Sequence, residues 1–178
     1  MTARPDTWKT MVRPGIALYG YSLAFTRGGE PAAVTPLPLR PVLSWKTRVL
    51  TVKEVGAGEA VGYMGTFVTM ERSRIAVLPV GYADGLPRSA TNTAQVLAAG
   101  RRHTIAGTVC MNQFVLDLGD TRAAAGDEVV LFGPGEAGEP TAQDWADALG
   151  TISYEIVIGF GGRWARSYRG VTYGAGVP

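Results

Sequence analysis

The sequence predicts a mainly β protein of short antiparallel strands, with one or two short helices. Three observations carry this. Glycine (24) and proline (11) are abundant and spread along the chain, and they fall between short runs rich in Val, Ile, Leu and Phe, so turn signals recur at the spacing of strands. Residues 41–55, PVLSWKTRVLTVKEV, alternate in the manner of a half-buried strand. Helix start and stop signals bracket residues 141–150 near the end of the chain.

In chain order, MVRPGIALYG at 11–20 reads as a buried strand entered by an abrupt Arg-Pro-Gly turn. No neighbouring segment offers it a sheet, so it has the look of the end of a domain that begins elsewhere. Residues 23–41 contain Gly28, Gly29, Pro31, Pro36, Pro38 and Pro41; prolines remove backbone donors and favour extended chain, so this stretch reads as a linker. In 41–55, Trp45, Thr47 and Val49 share one face and Lys46 and Arg48 the other. Two continuous apolar runs, RIAVLPV at 74–80 and EVVLF at 128–132, have the pattern of strands covered on both faces. VLAAGRRHTIAGTV at 96–109 suits a hairpin with a tight connection, and 108–118 reads as the next strand, with Cys110 in its middle. Thr141-Ala-Gln-Asp144 resembles a capping box with Asp in place of Glu; Trp145, Ala148 and Leu149 follow at helical spacing, and Gly150 closes the helix. After Gly159-Phe-Gly-Gly162, a last strand is expected over 163–169.

Composition bounds the function classes. The 178 residues suffice for one ordinary domain with a modest appendage. A net charge of +2, with arginines scattered rather than clustered, gives no electrostatic footprint for nucleic acid. Cys110 is the only cysteine, which leaves no internal disulfide and no cysteine-rich metal site. The first residues lack the apolar core of a signal peptide, and no run of about 18 apolar residues could span a bilayer. A soluble, cytoplasmic protein is expected.

No P-loop occurs. His103, beside Arg101 and Arg102 in a predicted turn, reads as a solvated surface residue rather than a base, and Cys110 as a small buried hydrophobe. Two tyrosines stand out, each bracketed by glycines that permit close backbone approach: Gly62-Tyr63-Met64-Gly65 and Gly81-Tyr82-Ala83-Asp84-Gly85. On the residues alone two readings stay open, tyrosines that line a site or turns that fold a tyrosine lid over the core.

Taken together, VRPGIALYG, AGEAVGYMGTF, IAVLPVGYADGLPR, VCMNQFVLDLG, GDEVVLFG and LGTISYE, in that order, resemble the alanine racemases. Each motif alone is weak; the ordered set is specific and covers about residues 11–169. The resemblance implies a racemase C-terminal-like β-barrel or sandwich over 36–173, with 1–35 as the end of a pyridoxal-phosphate-binding TIM-type barrel plus linker, and 174–178 as a tail. It implies interconversion of L-alanine and D-alanine, which supplies peptidoglycan synthesis, by a head-to-tail homodimer in which each β-domain closes over the partner's barrel.

Residue by residue, Tyr63 matches the tyrosine that exchanges the α-proton on one face of the substrate; a phenol is a weak base at neutral pH, so it depends on surrounding positive charge. Arg13 matches the arginine facing the pyridine nitrogen, and a guanidinium keeps its proton and donates. Gly15 and Ile16 match positions whose amides bind the cofactor phosphate, and Tyr154 a tyrosine whose hydroxyl also reaches it. Tyr82 matches a residue at the site entrance, and Met111 the position whose amide contacts the substrate carboxylate. Asn112 departs from the family's usual aspartate, keeping the shape and losing the charge. The family's Schiff-base lysine lies in the barrel; only Lys9, Lys46 and Lys53 occur here, none in that motif. The chain alone is therefore expected to be inactive. The alternatives are a non-catalytic, free-standing β-domain and part of a racemase for another small amino acid such as serine.

Overall fold

The computed structural model describes residues 10–11, 13–21, 26–27, 30–31, 38–159 and 166–170. Eleven short strands pair antiparallel throughout in the described residues. In chain order they are β1 (Thr26–Arg27), β2 (Glu30–Pro31), β3 (Trp45–Arg48), β4 (Thr51–Val55), β5 (Ala60–Val61), β6 (Phe67–Val68), β7 (Ser73–Leu78), β8 (Gln95–Ala98), β9 (Arg101–Thr104), β10 (Phe114–Gly119) and β11 (Glu128–Phe132). Two helices follow, α1 (Ala142–Leu149) and α2 (Ser153–Gly159). The main sheets have the orders β10-β7-β4 and β3-β11-β8-β9; β1-β2 and β5-β6 are separate hairpins.

One core joins the two main sheets to the helices. Leu78, Phe114 and Leu116 come from the three-stranded sheet, Val96, Val129, Leu131 and Phe132 from the four-stranded sheet, and Trp145 from α1, all fully buried. Trp45, Phe132 and Trp145 meet edge to face at 6.1 and 6.2 Å. The Trp145 indole N–H donates to the Gln95 carbonyl at 2.8 Å, which satisfies its one polar atom.

Several expectations hold. The runs at 74–80 and 128–132 form β7 and β11, and 95–104 is a hairpin whose two turn residues, Ala99 and Gly100, both have positive φ, the geometry of a tight primed turn. The capping box at Thr141 is closed in both directions, at 3.0 and 3.1 Å to Asp144, and Gly150 ends α1 in the left-handed region.

Other expectations are corrected. Residues 41–55 are two strands in different sheets: the Val49 amide bonds to Asp127 at 2.9 Å and the Leu50 amide to Val77 at 2.8 Å, so the chain turns a corner between the sheets there. Residues 13–20 carry a 3-10 helix, Gly15–Tyr19, entered from Pro14 in the right-handed region and closed by Gly20 at φ of 82°; Ile16 and Tyr21 join the main core. The strand expected from 108 starts only at Phe114, and Cys110 lies half-buried in the loop before it. His103 is not a solvated turn residue: it is buried in β9, paired with Val96, its Nδ1 at 3.2 Å from the Asp117 carbonyl oxygen. The inward face of α1 is Ala142, Trp145 and Ala146, with Ala148 exposed. α2 occupies a stretch for which no element is expected from periodicity. Of the last expected strand, residues 163–165 lie outside the described residues and 166–169 are not strand. Most of the expected linker also lies outside them, apart from the β1-β2 hairpin and residues 38–41.

Candidate active site

The loop of residues 107–113, between β9 and β10, is the platform on which the candidate residues converge. Tyr63, at the tip of the β5-β6 hairpin, forms an antiparallel bridge with Thr108. Behind it, the backbone is tight: a Cβ added at Gly107 would sit 2.7 Å from the Val61 carbonyl oxygen. The second tyrosine turn docks one step further along. Its Tyr82 amide donates to the Cys110 carbonyl at 3.0 Å and its Ala83 amide to the Met111 carbonyl at 2.9 Å. Gly81 is what permits this approach, since a Cβ there would lie 2.2 Å from the Cys110 oxygen and 2.3 Å from the Met111 oxygen. The Asp84 carboxylate, fully buried, accepts from the Gly81 amide at 2.8 Å and holds the turn closed.

Tyr63, Tyr82, Met111 and Asn112 are thus brought together by backbone contacts, and all four are exposed, Tyr63 at 71% and Met111 at 53%. The loop's geometry also orients one amide. A trans peptide is planar, with C=O and N–H on opposite sides, and no cis bond occurs among the described residues. With the Cys110 carbonyl aimed at Tyr82, the Met111 N–H of the same peptide points away from the Tyr82 turn.

Arg13, Gly15, Ile16 and Tyr154 form a second group. Gly15 and Ile16 open the 3-10 helix, Arg13 is exposed just before it, and Tyr19 at its far end meets Tyr154 edge to face at 5.9 Å. α2 links this group to the first: Tyr154 lies in its opening turn, and at its last residue a Cβ on Gly159 would be 3.8 Å from the Gly85 carbonyl oxygen. Two backbone amides and a phenol are donors of the kind a phosphate dianion accepts from, and the Arg13 guanidinium is a permanent donor for a neutral ring nitrogen. No acidic side chain stands in the first turn of the 3-10 helix, and a Cβ built at Gly15 meets nothing within 4 Å, so the space beside that amide is open. The residues present therefore fit a phosphorylated cofactor.

The lysines offer no alternative centre. Lys46 pairs with Glu128 at 2.7 Å, both side chains about half exposed, and Lys53 is exposed on β4; Lys9 lies outside the described residues. Among the described residues no cluster of His, Cys, Asp or Glu is placed to hold a metal, and no helix is long and apolar enough to cross a membrane. Sequence reading passed over Asp84, although Gly81-x-x-Asp84 has the spacing of a capping box. It also passed over Thr91 and Asn92, whose only sequence signal is the general turn preference of Thr and Asn.

The antiparallel two-sheet fold with its surface-facing tyrosine loop defines a class. Residues 42–168 match the family model described as alanine racemase, C-terminal domain, and the chain belongs to that family. The alanine racemase of Frankia casuarinae is 55% identical over 164 residues, 92% of this chain and 42% of that protein. Among solved structures, alanine racemase from Streptomyces lavendulae matches with a TM-score of 0.79 and 46% identity over 88% of this chain and 40% of that one. Alanine racemase from Bartonella henselae, solved with covalently bound pyridoxal phosphate, matches at 0.73 and 32% identity over 86% of this chain and 40% of that one. The chain spans about two fifths of the length of the relatives it matches.

Proposed function

We propose that this chain supplies the C-terminal β-domain to a pyridoxal-phosphate-dependent alanine racemase, a cytoplasmic homodimer that interconverts L-alanine and D-alanine for peptidoglycan synthesis. The observation that carries this reading is the docking of two exposed tyrosine turns, at Tyr63 and Tyr82, on the loop that holds Met111 and Asn112. Its relatives are alanine racemases, and neither a free-standing interaction module nor a racemase for another amino acid has an observation in its favour.

Bound pyridoxal phosphate supplies the electron sink that makes an amino acid's α-proton removable. The Tyr63 phenol oxygen takes or returns that proton on one face of the substrate. Tyr63 is 71% exposed in this chain, and a phenol in water is a weak base; it becomes competent when the partner's barrel covers it, excludes water and brings positive charge alongside. The Met111 N–H binds the substrate carboxylate, and Tyr82, rooted beside it, narrows the entrance. Arg13 donates to a pyridine nitrogen without giving up its proton. Gly15, Ile16 and Tyr154 hold the phosphate. Asn112, neutral where aspartate is usual in the family, leaves the entrance less negative.

The test is conversion of L-alanine to D-alanine with added pyridoxal phosphate, by this chain alone and by the same chain joined to a barrel half. Activity is expected only in the joined form, and Tyr63→Phe in that form should lower kcat by about 10²- to 10⁴-fold. Racemisation by the chain alone, an inactive joined form, or an indifferent Tyr63→Phe would each overturn the reading.

A further inference from the structure

The Tyr63 turn is held from outside by a side chain that touches neither the phenol nor the candidate binding residues. Gly62, Met64 and Gly65 have φ of 76°, 68° and 59°, so three residues in four are left-handed, one of them not glycine. The two glycines take that region freely, so the strain sits on Met64, and a residue so held persists only where its surroundings fix it. Its own closure is weak, a 3.4 Å bond from the Gly65 amide to the Gly62 carbonyl.

Beside the Tyr63–Thr108 bridge, Asn92 supplies a side-chain restraint. Its side-chain Nδ2 donates to the Thr66 carbonyl, one residue beyond the turn, at 3.0 Å. Its Oδ1 accepts from the Gly107 amide, one residue before Tyr63's bridge partner Thr108, at 2.5 Å. One amide group therefore ties the exit of the Tyr63 hairpin to the platform loop. The neighbouring Thr91 completes the clamp, its hydroxyl accepting from the Val109 amide at 3.0 Å while donating to the Arg88 carbonyl at 2.8 Å. Thr66 and Thr108 add a direct hydroxyl pair at 3.1 Å. Asn92 itself has φ of 55°, a conformation asparagine tolerates better than other side-chain-bearing residues.

We infer that Asn92 is a positioning residue for Tyr63: its side-chain amide sets where the phenol stands over the substrate, and so the rate of the one proton transfer that Tyr63 performs. This rests on the racemase reading above. The mechanism predicts an asymmetry. Two groups on opposite faces must serve the two enantiomers, and only the transfer made by Tyr63 loses alignment when the clamp is cut.

The experiment uses the full-length holoenzyme carrying this sequence, with Asn92→Gly as the main variant, because glycine keeps the left-handed backbone at no cost and removes only the side-chain bonds. Expected are a fall of about tenfold in kcat, since small misplacements of a reacting group cost one to two orders of magnitude, KM close to that of the parent enzyme, and a primary isotope effect from Cα-deuterated alanine that rises for one enantiomer only. Amide hydrogen exchange should accelerate at residues 61–68 and at Gly107. Asn92→Asp, which retains the acceptor for Gly107 and loses the donor to Thr66, should fall between. A slowing equal for both enantiomers with unchanged isotope effects, parent-like kcat, or unchanged exchange at 61–68 would overturn the assignment. Should the parent holoenzyme itself fail to racemise alanine, the function proposed above falls, and the exchange measurement still decides the clamp. If Asn92→Gly does not fold, the isotope effects and exchange of Asn92→Asp decide it in the same way.

Discussion

Two glycine-bracketed tyrosine turns, Gly62-Tyr63-Met64-Gly65 and Gly81-Tyr82-Ala83-Asp84-Gly85, meet on one loop but are anchored to different degrees by the core. The Tyr82 turn grows out of the main core: Val80 before it and Leu86 after it are buried, Asp84 is fully buried, and two backbone bonds fasten it to Cys110 and Met111. The Tyr63 turn stands on a two-stranded hairpin over a satellite cluster of Val61, Ile75 and Val115, and is tied by one backbone bridge to Thr108 together with side-chain amide and hydroxyl groups. A core-rooted turn opens only with the whole domain, whereas one held by a few surface bonds opens locally. The difference suits the proposed roles, a fixed entrance beside Met111 and a proton-transferring phenol seated finally by a second subunit.

The sharpest way to break the comparison is to place the same methyl group at the same point of each turn. Gly81→Ala drives a Cβ to 2.2 Å from backbone oxygen that cannot retreat without displacing the Met111 loop, and a loss of about 3 kcal/mol or more is expected, read from urea unfolding. Gly62→Ala meets nothing nearer than 3.5 Å and suffers only from its φ of 76°, so about 1 kcal/mol is expected. Equal losses at the two positions would mean that the turns are anchored alike.

The smallest effect concerns His103, buried on β9 beside Asp117. Burial pushes the His103 imidazole below its ordinary 6.5; the Asp117 carbonyl pulls the other way and nearby Arg101 adds to the depression. The unfolded chain then binds more protons than the folded one below pH about 6.5, so this contribution to stability is present above that pH and is lost as pH falls toward the folded value. Urea midpoints should decline gently from pH 7 to pH 5, and His103→Gln should flatten that slope. A parent midpoint that is level across this range would refute the assignment.

His103 also shows where sequence reading stops. Beside two arginines it has the local signature of a solvated turn, yet the turn is Ala99-Gly100 and His103 is the inward residue of β9, opposite Val96. A shift of two residues in the turn moves a side chain along the hairpin, and one residue in register moves it from one face to the other. Residues 41–55 fail for a related reason: alternation persists across a corner between sheets, so period alone cannot reveal that Val49 and Leu50 bond to different strands. The capping box at Thr141, the tight hairpin at 95–104 and the runs that became β7 and β11 were legible because each is specified by neighbours within a few residues.

By itself, the sequence determined the mainly antiparallel β class, the local elements whose signals are short-range, and, through its ordered motifs, the family to which the chain belongs. Only the tertiary structure decided that the two tyrosine turns share one platform, that Gly81 is required by contact with Met111, and that Asn92 reaches both Thr66 and Gly107. Those are contacts between segments 15 to 46 residues apart, and no local propensity encodes them: they follow from which strand pairs with which, which is settled by burial of the whole core.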